Sequence, residues 1–239
     1  MKPRGPSWPL RFPPHYRWEH VPLPEIREMF RRVFERWGLP DHVRVDNGYP
    51  WGTPRDLPTE LALWLIGLAV EPISNPAGRP TCNPKVERCN GLTQEWGELH
   101  RCTDCRQAAR VLAWVGRIQR EEYPGLHGRT RLEVFPQLNT PRRGYRRSQE
   151  AALWDLAQVD AFLVRGCWRR RVDCNGRISI YGHGRTVGRA WARQEVVLRF
   201  EPSSRCWMVS NQAGELIKKI PASELTQERI MALSVSRRR

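Results

Sequence analysis

Apolar residues recur at three- and four-residue spacing from Ile26 through Met29, Phe30, Val33 and Phe34 to Trp37, and the run stops at Gly38-Leu39-Pro40. That period lays one apolar stripe along a helix, and glycine followed shortly by proline ends it. The letters "HVRV" then read as a short strand, followed by a turn-rich stretch to Pro58. Thr59 is placed to cap a second helix over residues 60–68, whose apolar density predicts burial on every side. "AVEPISNPAGRPTCNP" reads as a short strand running into a loop. Helical patterns return over residues 85–100, 106–122 and 150–162. Beyond residue 162 the period changes to two: "WRRRV", "GRISIY", "EVVLRF", "CWMVS" and "ELIKKI" are separated by Gly, Asn and Ser. Short strands so spaced predict a small barrel or sandwich.

The expected fold class is therefore α/β at the front and all-β behind. Residues 1–21, rich in proline, read as an extended arm, and residues 22–125 as a core of short sheet and packed helices. Residues 126–161 form a basic linker and helix, 162–225 a small β-barrel, and 226–239 a basic tail.

Composition adds a partner. The chain of 239 residues carries 40 Lys and Arg against 25 Asp and Glu, a net charge of +15, which is the balance of a protein that neutralises phosphates. No run reaches the roughly 20 apolar residues of a membrane span, and no signal-like core opens the chain, so a cytoplasmic protein without a membrane partner is expected. Seven cysteines, an odd number, suit free thiols. Cys102 and Cys105 have zinc-like spacing but lack a second ligand pair at finger distance.

Two acidic residues interrupt this basic background. Asp46 follows "HVRV" directly and precedes Asn47-Gly48. An Asn-Gly hairpin would explain it, but "YPWGTPRDLP" offers no returning strand. What remains is a carboxylate at the carboxyl end of a strand, where open α/β sheets collect ligands. Glu87 falls in the first turn of a helix after Pro84, where the helix dipole alone would favour it.

Taken together, "VRVDNG" and "NPKVERCNG" resemble the second and third acidic motifs of the retroviral-type integrases and the related bacterial insertion-sequence transposases. The resemblance also takes in "RWGLP", "NTPRRGY" and "GRISIYGHGRTVG". It implies a ribonuclease H-like core followed by a small DNA-binding barrel, and an Asp, Asp, Glu triad holding two Mg²⁺ or Mn²⁺ ions. In such sites two metals roughly 3.5 to 4 Å apart stabilise the attacking and leaving oxygens of phosphoryl transfer. Asp46 and Glu87 would then be catalytic and metal-binding, with carboxyl groups converging to roughly 5 to 8 Å. The first Asp of the pattern finds no match: the one Asp before Asp46 is Asp41, in the turn preceding the strand. The sequence thus reads as an N-terminally incomplete core, inactive alone. It would act in DNA integration and transposition on mobile-element ends and target DNA, as a homo-oligomer or beside a complementing full-length transposase. The alternative is a non-catalytic DNA-binding remnant or regulator occupying the same ends.

DNA contacts are expected from Lys85 and Arg88 beside Glu87, from Arg142, Arg143, Arg146 and Arg147 in the linker, and from Arg169 and Arg171 on one face of the first barrel strand. Asn83 and Asn90 read as caps, and Trp64 and Trp114 as packing residues at buried helical phases.

Overall fold

A computed structural model describes residues 21–53, 55–75, 84–140 and 143–237. In chain order the elements are α1 (Leu23–Trp37), β1 (His42–Val45), α2 (Glu60–Gly67), β2 (Glu71–Ser74), α3 (Pro84–Gly97), α4 (Cys105–Glu121), α5 (Arg131–Val134), α6 (Glu150–Leu153) and α7 (Leu156–Val164). There follow β3 (Trp168–Arg171), β4 (Arg177–Ile180), β5 (His183–Thr186), β6 (Glu195–Glu201), β7 (Cys206–Ser210), β8 (Leu216–Pro221) and α8 (Gln227–Met231). The protein is mixed α/β. No helix among the described residues is long and apolar enough to cross a membrane. Of the expected arm, residues 1–21, all but Val21 lie outside them.

Contacts group the chain into two units. One is discontinuous, Pro22–Asn75 with Arg142–Arg239; the other holds the described residues 84–140, which interrupt the first in sequence. In the discontinuous unit β1 and β2 pair in parallel, His42 opposite Glu71 and Val45 opposite Ser74, with α2 as the crossover. A parallel pair needs such a crossover, because a tight turn can join only antiparallel strands. Thr59 accepts a hydrogen bond from the Ala62 amide and caps α2, worth about 1 kcal/mol. Leu61 through Gly67 are then all buried, as the apolar run predicts. Trp64 is the centre of this packing: Phe34 stacks on it at 6.1 Å, and Tyr145 meets Phe34 edge-on at 5.7 Å.

The strands after residue 162 make an antiparallel sheet ordered β3-β6-β7-β8, with β4-β5 as a separate hairpin. The ring expected of a barrel is not closed among the described residues. After Val172 the chain turns at Asp173, whose carboxylate accepts from the amides of Asn175 and Arg177, and Gly176 takes a positive φ of 77°. This turn carries β4 off the sheet into its own pairing. Ile178 and Ile180 nevertheless enter the same core as Leu198, Trp207 and Val209, and that core continues to Trp64 and Phe34. The residues of 22–75 and 142–239 therefore share one interior.

The helix expected over residues 150–162 is broken. Trp154 adopts an extended backbone, and Asp155 restarts the helix by accepting from the Ala157 amide at 2.8 Å. The gain is packing: the Trp154 indole donates to the Trp64 carbonyl at 3.1 Å and lies where a side chain at Gly67 would sit, 2.0 Å from an added Cβ. Only glycine allows that approach.

In the other unit, Asp104 caps α4 through the Gln107 amide at 2.7 Å, and a Thr130–Glu133 capping box starts α5. Gln119 on α4, 2% exposed, links to α3 by accepting from the Cys89 thiol at 2.8 Å and donating to Thr93 at 2.9 Å. Trp114 departs from its expected burial, being 49% exposed: α4 turns its buried side through Val115 and Gln119, and Trp114 falls off that stripe. Cys102 is a free, buried thiol.

Candidate functional site

Asp46 leaves the carboxyl end of β1 as an exposed residue. Since β1 pairs with β2 in parallel, the Asn47-Gly48 segment does not fold a hairpin back onto it. Instead it closes a local turn, with mutual backbone bonds between Gly48 and Gly52 at 2.8 and 2.7 Å. Directly across, at the carboxyl end of β2, Asn75 is only 7% exposed. Its Nδ2 donates to the Asp46 carboxylate at 2.6 Å, while its Oδ1 accepts from the Arg44 guanidinium at 3.3 Å. The Asn47 side chain donates to the Asn75 carbonyl at 3.0 Å. The two strand ends are thus tied together, and a carboxylate is held in place by an amide whose other end is held by a cation. Nothing in the sequence marks Asn75, which looks like one more polar residue before a Pro-Gly loop.

Glu87 and Arg88 are exposed in the first turns of α3, and Asn90 is exposed farther along the same helix. Lys85 lies in this helix, but its side chain is outside the described residues, as are Asn83 and Arg142. Asp46 belongs to the discontinuous unit and Glu87 to the other.

The linker arginines divide by partner. Arg143 directs its guanidinium to three carbonyls, Pro40 at 2.6 Å, Ala69 at 2.8 Å and Leu68 at 3.2 Å, with Asp41 3.8 Å away. Leu68 and Ala69 follow the end of α2 and Pro40 stands shortly before β1, so Arg143 acts as a side-chain cap for α2 and as a staple to the residues before β1. Arg147 pairs with Glu28 at 2.7 Å. Arg146 is exposed. On β3 the alternation is as expected, with Arg169 and Arg171 outward and Arg170 inward beside buried Trp168. Arg169 lies 3.5 Å from Glu195 on the neighbouring strand, with both side chains exposed, a pairing worth little in water.

A second acidic centre escaped the sequence reading altogether. Glu150, 3% exposed, accepts from Arg31 Nε at 2.8 Å and Arg31 Nη2 at 2.6 Å, from Trp64 Nε1 at 3.3 Å, and from the Tyr145 hydroxyl. Burial pushes its carboxyl up, but the bonds from Arg31 and Tyr145 outweigh this and hold it below the ordinary carboxylate range. Burial and the bond to Glu150 raise the Tyr145 phenol. Glu224, fully buried, is similarly held by Arg185 at 2.6 Å and the Trp207 indole at 2.7 Å. Nothing in "RRSQEAAL" or "PASELTQE" separates these glutamates from solvated ones; only their distant partners do.

The Asp46 end can act as an acceptor, a base or one ligand of a cation. By itself it does not make a metal centre: Asn75 meets it with an amide N–H, which donates, and among the described residues no group of three or more His, Cys, Asp or Glu is placed to hold an ion. A Mg²⁺ or Mn²⁺ site would require carboxylates brought to Asp46 from elsewhere. No protein-family model matches the chain, so the functional reading is carried by these residues and their surroundings.

Proposed function

We propose that this chain is a DNA-binding protein of the integrase and transposase type, in which Asp46 and Glu87 are two of the carboxylates of a strand-transfer site. The observation that carries the reading is the parallel β1-α2-β2 unit, which sets Asp46 at the carboxyl end of one strand and ties it to Asn75 at the end of the next. That is where a ribonuclease H-like core keeps an acidic ligand, and where open α/β sheets in general place their chemistry. The net charge of +15 and the outward Arg169 and Arg171 support DNA as the substrate. Mobile-element ends and target DNA are the proposed substrates. Mg²⁺ or Mn²⁺ is the proposed cofactor once further carboxylates join Asp46. A second copy, or a full-length transposase, is the proposed source of completion.

The residues present assign themselves roles that need no metal. Asn75 orients the Asp46 carboxylate by donating to one oxygen. Arg44 fixes the flip of the Asn75 amide by donating to its carbonyl oxygen, so that the N–H₂ group faces Asp46. The second reading is a non-catalytic binder of the same DNA ends, which the net charge of +15 supports equally.

Titrating salt against binding of a labelled duplex tests the DNA reading. Affinity should fall by orders of magnitude between about 50 and 200 mM salt if six or more phosphates are contacted, whereas a flat titration refutes it. A strand-transfer assay with Mn²⁺ and paired element ends separates the two readings. Product that disappears in Asp46→Asn supports the enzyme, and tight binding without product supports the binder.

A further inference from the structure

Within the discontinuous unit a cavity of about 450 Å³ is walled by Trp51, Phe162 and Trp168 with Pro58 and Pro72. Its size falls within the roughly 300–1,000 Å³ of small-molecule sites. Val45 and Ser74, the last residues of β1 and β2, also line it, so it reaches to within one residue along the chain of both Asp46 and Asn75. At its edge the Arg165 guanidinium lies 4.9 Å over the Phe162 ring and 3.1 Å from Glu71, with both charged side chains substantially exposed. Other polar groups of the lining are already engaged. The Trp168 indole donates to the Asp56 carbonyl at 3.0 Å, and the Asp56 carboxylate accepts from the Thr53 amide at 3.1 Å and its hydroxyl at 2.8 Å.

The lining therefore offers flat apolar faces and an arginine at the rim paired with Glu71, while its other carboxylate, Asp56, is taken up by Thr53. A ligand recognised by such a set is planar and aromatic, carries a negative charge next to the ring, and brings few hydrogen bonds of its own. A nucleotide fits this description: bases stack on aromatic side chains whatever their identity, and an arginine beside the stack serves the phosphate. We propose that the cavity beside Asp46 receives a single unpaired nucleobase of bound DNA, stacked on Trp51 and Phe162, with Arg165 on its backbone phosphate. The proposal rests on the DNA reading above and adds to it a preference for DNA that is locally unpaired. An extruded base also fixes the register of the strand, which is how a sequence-tolerant pocket positions one phosphodiester near a carboxylate.

The test compares the full chain binding two short labelled duplexes, one fully paired and one carrying a single bulged fluorescent purine analogue. About tenfold tighter binding of the bulged duplex, with quenching of the analogue as it stacks, is the expected result. Trp51→Leu removes a stacking face, but Trp51 also packs edge-on against Phe30. Cys167→Phe therefore serves as the second variant, crowding the cavity from an exposed position. Both should bring the bulged duplex down to the affinity of the paired one and abolish quenching, leaving paired binding unchanged. Equal affinity of the unaltered chain for the two duplexes overturns this proposal while sparing the DNA reading. So does a preference that survives both substitutions. Failure to bind either duplex overturns both.

Discussion

Glu150 and Asp46 are both carboxylates of the discontinuous unit, both hydrogen-bonded to side chains from distant positions, and they differ in everything else. Glu150 is buried, gripped by both nitrogens of one guanidinium edge, an indole and a phenol, so no lone pair is left for a ligand. Asp46 is exposed at a strand end, and the amide that orients it is neutral. The difference teaches that the number of partners a carboxylate has is a poor guide to its role. What counts is whether those partners are charged and whether water still reaches the group. Saturated by a buried cation, a carboxylate joins elements; oriented by an amide in contact with solvent, it remains available for chemistry.

The comparison can be broken by stability measurements. Glu150→Ala should cost about 3–5 kcal/mol, because it strips the largely buried Arg31 guanidinium of both its short bonds and leaves it only the looser pairing with Glu28 at 3.6 Å; urea unfolding followed by tryptophan fluorescence would show it. A loss below about 1 kcal/mol would mean that the network is ornamental. Arg143→Met should come next, at about 2 kcal/mol, through the three carbonyls it abandons. Arg146→Met, on an exposed arginine of the same segment, should leave stability within about 0.5 kcal/mol. In a salt titration of DNA binding it should reduce the slope by about 1. Equal effects of the two arginine variants on the slope would erase the division between cap and contact.

Acid sharpens the same contrast. The Glu150 carboxyl is depressed in the folded state, so its contribution is present above the unfolded value of about 4.3 and is lost as the pH falls through the lower folded value. Thermal unfolding of the unaltered chain should therefore lose stability as the pH drops below about 4, and Glu150→Gln should flatten that limb. The smallest effect belongs to Asp46→Asn. An asparagine keeps the oxygen that accepts from Asn75, so stability should change by no more than about 0.5 kcal/mol. A cost approaching that of Glu150→Ala would make Asp46 a structural residue and remove the contrast.

Much of the framework can be read along the chain because local rules and the final packing agree there. The stripe from Ile26 to Trp37, the Thr59 cap and the apolar run of α2 predict their elements nearly to the residue. Where the two levels disagree, reading fails. "EAALWDLAQVDAFL" has helical composition throughout, yet Trp154 is drawn out of the helix by a slot above Gly67, 87 positions earlier. "HGRT" pairs as β5 although it is polar, because the turn at Tyr181 and Gly182 folds it back onto β4. At the candidate site Asp46 announces itself by contrast with its surroundings. Asn75, which orients it, and Arg143, which belongs to the scaffold, carry no such signal, since their roles depend on carbonyls and carboxylates far away in sequence.

The Trp154–Trp64 bond, spanning 90 residues, also has a consequence in time. Helix α2, apolar on every side, leaves the ribosome well before the tryptophan that covers it. At the usual pace of synthesis the delay is roughly 4 to 20 s, far longer than a helix or a collapsed chain takes to form. During that interval the nascent segment has only α1, through Phe34, to cover its apolar surface, and the intervening 66 residues from Pro76 to Pro141 are being made. The burden therefore falls on whatever shields young chains. Nascent chains arrested near residue 140 should be cut readily by protease within α2, whereas chains released at full length should resist there.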